Sequence, residues 1–449
     1  MNLKINYHYI YIFLFTSFLF LWDVNILDLK NFNISQIIGY KFITLNYFII
    51  LLLLPIFYLL SRKKNLSIYK IFNNQKYIIL FVSFVIFHYF FTNILYHQII
   101  APYELLNLFF LIILSFIYCH YRNFLSNNFE SILFLYLIIF IRFSFEEQKI
   151  ILNEGQCNNK FFLINFIQSK FQIYLSNSFY LENSHLAMMM TGVIFSSLLI
   201  LERSKKLSIL FLFLFFLSIL ITLLNYSVTF FISYLVCQVV IFIFFYKKIS
   251  NKFWIYSFLF LLLNFLIFFS DINCAKKVTD FNIKDVLEKN IDKTRDGYLN
   301  RKQNSVLSSK NLTTLIYERS AILTLNTLSN QPLGWGNEGM DNATINLINK
   351  PEYKYSYWLA KELNLKDGLS NFFKMINEFG FFSLFIFYLF IRYLLNREKI
   401  DSYNLFIITL FITQCIRGAG YFNGGFIFCV LEFIYFEKFI NQSKQPPSN

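Results

Sequence analysis

Charge is scarce in this chain: Asp, Glu, Lys and Arg make up 15% of its 449 residues, while 57% are hydrophobic and 61 are Phe. A soluble domain could not keep so much apolar surface from water. Polar–apolar alternation is also missing from the apolar runs, which excludes the strands of a membrane β-barrel. Several runs instead approach the roughly 20 residues an α-helix needs to cross a bilayer. The expected class is therefore an all-α polytopic membrane protein. Walker, Gly-x-Gly-x-x-Gly and zinc-spaced motifs are absent, which argues against a nucleotide-driven pump and a nucleotide-sugar transferase. No internal repeat is visible. Six scattered cysteines (Cys119, Cys157, Cys237, Cys274, Cys415 and Cys429) form no metal-spaced cluster.

Hydropathy places about 12 spans, at 7–22, 42–60, 77–96, 103–121, 129–145, 184–201, 207–224, 228–246, 252–270, 371–395, 402–416 and 420–437. The polar break Asn225-Tyr226-Ser227 separates the seventh from the eighth. After the first apolar run comes Leu21-Trp22-Asp23, not a small-residue cleavage site, so that run is expected to be retained as a span. The net charge of +14 would suggest nucleic acid in a soluble protein, but its position matters more here. Arg62-Lys63-Lys64, Arg203 with Lys205-Lys206, Lys247-Lys248 with Lys252, and Arg397 with Lys399 all fall in even-numbered connections. That bias makes those connections and both termini cytoplasmic, so the basic residues report topology and anionic lipid, not nucleic acid.

Three units follow: a membrane domain of nine spans over 1–270, a large external loop over 271–368, and a membrane domain of three spans over 369–449. The first carries an external amphipathic segment at 146–183, of a kind that lies in the membrane interface. Only Cys157 and Cys274 fall in expected external loops, where an oxidising compartment permits a disulfide; free thiols at both sites are the other reading.

The long loop and its borders hold most of the residues suited to chemistry. Helical spacing over 311–330 puts Arg319 on a helix that ends before Gln331-Pro332, and Gly334-Trp335-Gly336 then makes a compact turn. A guanidinium contacts phosphate oxygens in a bidentate fashion and stays charged in a low-dielectric site. The alternative for Arg319 is a surface pair with Glu318. Arg417 opens a stretch with four glycines in eight residues on the external side, where backbone can approach a ligand closely; the alternative is an arginine snorkelling at a helix end. Glu182 and His185 lie three apart at the start of a span, hence on one face, and suit a general base for a sugar hydroxyl. They equally suit a helix N-terminal cap. Asn371, Lys374 and Glu378 form one stripe near the external end of the tenth span, where charge usually faces a polar cavity, although Lys374 and Glu378 also neutralise each other. Tyrosines and Trp358 over 351–366 suit headgroups or sugars.

From Glu182 to the end, the chain resembles the O-antigen polymerase and O-antigen ligase superfamily. The resemblance rests on Glu-x-Ser-His-x-Ala opening a span at Glu182, on Arg319-Ser320-Ala321 followed by Pro332-Leu333-Gly334-Trp335-Gly336, and on Asn371 with Asn377-Glu378-Phe379-Gly380. Ligases of this group carry His-Asn where this chain has Ser370-Asn371, and an arginine after a serine where it has Ser227-Val228-Thr229. Both departures favour the polymerase. The resemblance implies a multi-pass glycosyltransferase of the bacterial inner membrane, with its active site facing the periplasm. Such an enzyme joins oligosaccharide units carried on undecaprenyl pyrophosphate into O-antigen or a related surface polysaccharide of lipopolysaccharide. In that reading Arg319 and Arg417 bind pyrophosphate and Glu182 or His185 is the base. Asn371, Lys374 and Glu378 line the acceptor side, while Gly334, Trp335 and Gly336 contact the sugar. No cofactor or metal is implied, and a chain-length regulator protein is a partner the resemblance allows. The alternatives are a ligase acting on a lipid A core and a polysaccharide transporter.

Overall fold

The computed structural model describes residues 7–21, 25–28, 42–44, 76–95, 102–144, 183–203, 209–224, 227–279, 312–336, 339–349, 370–397, 400–418, 420–421 and 425–443. The protein is an all-α membrane protein apart from one short antiparallel ladder, β1 (Asn25–Asp28) with β2 (Phe42–Thr44). Its helices are α1 (Tyr7–Phe20), α2 (Lys76–Leu95), α3 (Pro102–Ser144), α4 (Asn183–Arg203), α5 (Ile209–Leu224), α6 (Val228–Phe245) and α7 (Asn251–Thr279). Then come α8 (Leu312–Asn330), α9 (Met340–Asn349), α10 (Asn371–Phe379), α11 (Ser383–Asn396), α12 (Ser402–Ile416) and α13 (Phe426–Ser443). Among the described residues, five helical stretches are long and apolar enough to cross a membrane: Lys76–Leu95, Leu105–Arg142, Ser184–Arg203, Val228–Phe245 and Asn371–Asn396.

Two expected boundaries change. The spans expected at 103–121 and 129–145 run as the single 43-residue helix α3, roughly 65 Å long at 1.5 Å per residue. The polar stretch between them, Arg122 to Asn128, contains neither Pro nor Gly, so nothing breaks the hydrogen-bond ladder; the Asn128 amide folds back onto Phe124 O at 2.9 Å. The span expected from residue 42 begins with extended Phe42-Ile43-Thr44, paired to β1, as suits β-branched and aromatic residues. Residues 45–60 lie outside the described residues, as do Asp23, Glu182, Cys157, most of the 146–183 segment and the 351–366 tyrosines. By contrast α5 and α6 are separate helices, with Ser227 capping α6 through Phe230 N at 3.3 Å.

Helix α4 is the centre of the bundle. Its spanning window is 83% buried, against 33–44% for the other four. It packs most extensively on α12, then on α6 and α7. Small residues permit this approach: a Cβ on Gly192 would sit 3.0 Å from the Phe406 ring. Thr413 Oγ1 donates to Met188 O at 3.3 Å and ties the same pair. Around this centre α5, α6, α7 and α11 turn large apolar side chains outward, including Ile209, Ile243, Leu259 and Leu395. A soluble protein rarely carries such faces; lipid covers them in a membrane.

Candidate functional site

The stretch from Asn371 to Asn396 is one span by length but two helices by geometry. At Gly380 the backbone turns to φ +56, a 3-10 turn covers Gly380–Phe382, and α11 resumes at Ser383. A broken helix in lipid must have its freed backbone groups satisfied by other protein. The turn after α8 supplies them. Trp335 N donates to Asn377 O at 2.8 Å, Gly336 N to Glu378 O at 2.9 Å, and Phe381 N to Pro332 O at 2.9 Å. The contact is backbone on backbone, so a Cβ at Gly334 (φ +79) would run into Glu378 O, and one at Gly380 into Pro332 O. Of the two glycines expected at the sugar, Gly334 thus lies against the break, and a Cβ at Gly336 (φ +91) would meet Thr92 of α2.

Helix α8 is fastened to α10 by side chains as well. Thr327 Oγ1 donates to Asn377 Oδ1 at 2.7 Å, and Asn377 Nδ2 donates to Thr324 Oγ1 at 3.0 Å and to Phe373 O at 2.9 Å. Tyr317, two turns earlier on α8, donates its hydroxyl to Ile416 O at the end of α12. Arg319 lies between these two attachments and is fully buried. Burial pushes the Tyr317 phenol above its usual range, opposed by the Arg417 guanidinium beside it.

The N-terminus of α10 meets the Arg417–Gly420 loop. Ser370 caps α10 through Phe372 N at 3.1 Å and donates to Cys415 O. Asn371 Nδ2 donates to Gln414 Oε1 at 3.0 Å, while its Oδ1 accepts from Gly420 N at 3.2 Å. A side chain on Gly418 would collide with Asn371. Asn371 thus clamps the loop that carries Arg417. Arg417 is 8% exposed, and its Nε donates to Ser184 Oγ at 3.2 Å, which sets it beside the first turn of α4, where half-buried His185 stands.

One turn along α10, Lys374 is 2% exposed, with Nζ 3.7 Å from Glu378 Oε1 and 4.9 Å from the centre of the Tyr421 ring. Glu378 is fully buried. Three cations are therefore buried on the elements that meet here, Arg319 on α8, Lys374 on α10 and Arg417 at the end of α12, with Glu378 buried beside Lys374. Such a junction can hold a multiply charged anion, because preorganised guanidinium and ammonium groups gain strength in a low-dielectric site. Trp335, expected to stack on sugar, packs in a small second core with Leu323, Met340, Ala343 and Leu347; α9 follows the turn closely and offers it that apolar surface.

Sequence reasoning missed several supports. His88 of α2 donates from Nε2 to Leu333 O at 2.7 Å, and its ring packs on Phe379 and Phe382, so it props the turn against the break. A lone histidine in an apolar run gives no hint of that partner. Also missed was a cluster near the other end of α12. Fully buried Glu432 of α13 accepts from Arg122 Nη2 at 2.6 Å and Nε at 3.0 Å, from Arg397 Nη2 at 2.9 Å, and from the Tyr118 hydroxyl. An isolated acid within an apolar helix is the signal that could have found it. No protein-family model, curated protein or solved structure matches this chain.

Proposed function

We propose that this protein is a lipid-linked oligosaccharide polymerase of the bacterial inner membrane, with about 12 spans and its cation junction on the periplasmic face. The observation that carries the reading is the burial of three cations, Arg319, Lys374 and Arg417, on elements that pack against one another. A pyrophosphate leaving group is the kind of polyanion such a junction suits. The reaction class itself comes from the resemblance in sequence. The terminal sugar hydroxyl of one undecaprenyl-pyrophosphate-linked unit attacks the anomeric carbon of the growing chain. The new glycosidic C–O bond forms as the bond to pyrophosphate breaks, and the lipid pyrophosphate leaves with the bonding electrons. The hydroxyl proton passes to Glu182 or His185 as general base. Arg319 and Arg417 neutralise charge developing on the leaving group. Lys374 and Glu378 fix the polar wall, and Asn371 and the Gly334–Gly336 turn hold that wall in place.

The test is a gel of surface glycolipid from a deletion strain complemented with wild type or with Arg319→Ala, checked for equal membrane abundance. Polymerase activity predicts collapse of the ladder to core plus one repeat unit in the deletion and in Arg319→Ala. Core alone, with long polymer accumulating on the lipid carrier, would establish a ligase instead. An unchanged ladder would remove both envelope-glycan readings.

A further inference from the structure

A groove of about 540 Å³ opens between α6 and α7, lined by Phe242, Tyr246, Trp254, Phe258 and Leu262, with Asn251 at one end. Its volume falls within the range of roughly 300–1,000 Å³ usual for small-molecule sites. Polarity runs along it in one direction. Tyr246 and Asn251 stand at the α6–α7 corner, and Leu262 lies about 16 Å farther along α7 at 1.5 Å per residue. Three lysines, Lys247, Lys248 and Lys252, crowd the polar corner, all of them exposed. Lys248 is committed to the protein, donating to Arg397 O and lying 5.3 Å from the centre of the Phe245 ring. Lys247 and Lys252 directly follow the lining residues Tyr246 and Asn251 in the chain. A cationic corner leading into an apolar trough has the polarity gradient of one anionic phospholipid.

We infer that the α6–α7 groove is a site for an anionic membrane phospholipid. The phosphate sits on Lys247 and Lys252, and one acyl chain runs along Trp254 and Phe258 toward Leu262. A free phosphate would leave the trough unused, and a zwitterionic lipid would gain little from the lysines. The corner belongs to the end of the bundle where basic connections gather, the side on which anionic lipids concentrate. The site is remote from Arg319 and Arg417 and does not depend on the reading of their role.

Native mass spectrometry of the full-length, delipidated protein in detergent tests this, with phosphatidylglycerol and phosphatidylcholine added in equal amounts. Wild type should retain one phosphatidylglycerol per chain with a preference of about 25-fold, from a factor of about 5 for each lysine. Lys247→Gln with Lys252→Gln should bring the two lipids near parity. Leu259→Trp, which adds bulk at an exposed groove position, should weaken retention of both. Thermal melting of each variant verifies the fold. Equal retention of the two lipids by wild type, or a preference unmoved by the lysine variant, overturns the inference. So does a dimer that forms in place of the lipid-bound monomer and is lost in Leu259→Trp.

Discussion

Replacing Glu432 by Gln tests whether the cluster near the N-terminal end of α12 joins the helices. The carboxylate is fully buried and receives hydrogen bonds from Arg122 of α3, Arg397 after α11, and Tyr118 of α3. Both arginines keep only 14% of their side-chain surface exposed. Their guanidinium faces are also covered: Arg397 lies 4.1 Å from the Phe436 ring centre and 4.4 Å from that of Tyr393, and Arg122 lies 5.1 Å from Tyr435. Gln preserves the shape but removes the charge and one acceptor, leaving two arginines buried against a neutral amide. Breaking a buried ion pair from one side costs about 3–5 kcal/mol. At about 2 °C per kcal/mol for a chain of this size, the melting temperature in detergent should fall by about 6–10 °C. Converting Arg122, Arg397 and Glu432 together to Met should recover most of the loss, because no charge is then stranded. The assay is thermal unfolding followed by fluorescence, with size-exclusion chromatography as the check on aggregation. A Glu432→Gln protein that melts within about 1 °C of wild type would refute the reasoning.

Three further outcomes concern the junction. Gly334→Ala forces a Cβ against Glu378 O at φ +79, adding about 1–2 kcal/mol of backbone strain to the clash; limited proteolysis should then cut the 331–336 turn faster than in wild type, and equal rates would contradict the packing. Asn377→Ala leaves Thr324 and Thr327 without their shared partner and should destabilise by about 1–3 kcal/mol, read as a lower melting temperature that Asn377→Gln does not restore. Tyr317 has a raised pKa, so its stabilisation is complete below the ordinary tyrosine range and is lost as pH rises through the elevated folded value. Tyr317→Phe should therefore lose less stability than wild type between neutral pH and pH of about 11; parallel losses would contradict this.

The helices were legible because apolar runs of near-bilayer length have few other stable states. The break at Asn225-Tyr226-Ser227 was legible too, since Ser227 carries its own capping signal. Continuity through Arg122–Asn128 was not, because polar residues without Pro or Gly look like a connection but do not interrupt the backbone ladder. The same limit applies to the site. Arg319, Lys374, Glu378 and Arg417 stood out as charges in or beside apolar elements, and each proves buried. The roles of Trp335 and Gly334 depend on partners 12 to 44 residues away, Leu323 in one case and Glu378 in the other. No local pattern encodes such distances, so residues suited to a ligand and residues suited to close packing looked alike.

The helix break and the loop turn explain one another. An unbroken span from Asn371 to Asn396 would carry Lys374 and Glu378 on a regular helix with no need of the loop. Turning at Gly380 frees Asn377 O, Glu378 O and Phe381 N, and these are the groups that Trp335, Gly336 and Pro332 satisfy. In lipid such groups cannot rely on water, so the break is stable only while the loop is docked. Docking in turn brings α8 down with Tyr317 on Ile416 and Arg319 between its two attachments. Arg319 is therefore buried on a helix that is seated together with the turn. A substitution that undocks the turn should therefore uncover Arg319 without touching it, and the site should fail by loss of arrangement rather than loss of charge.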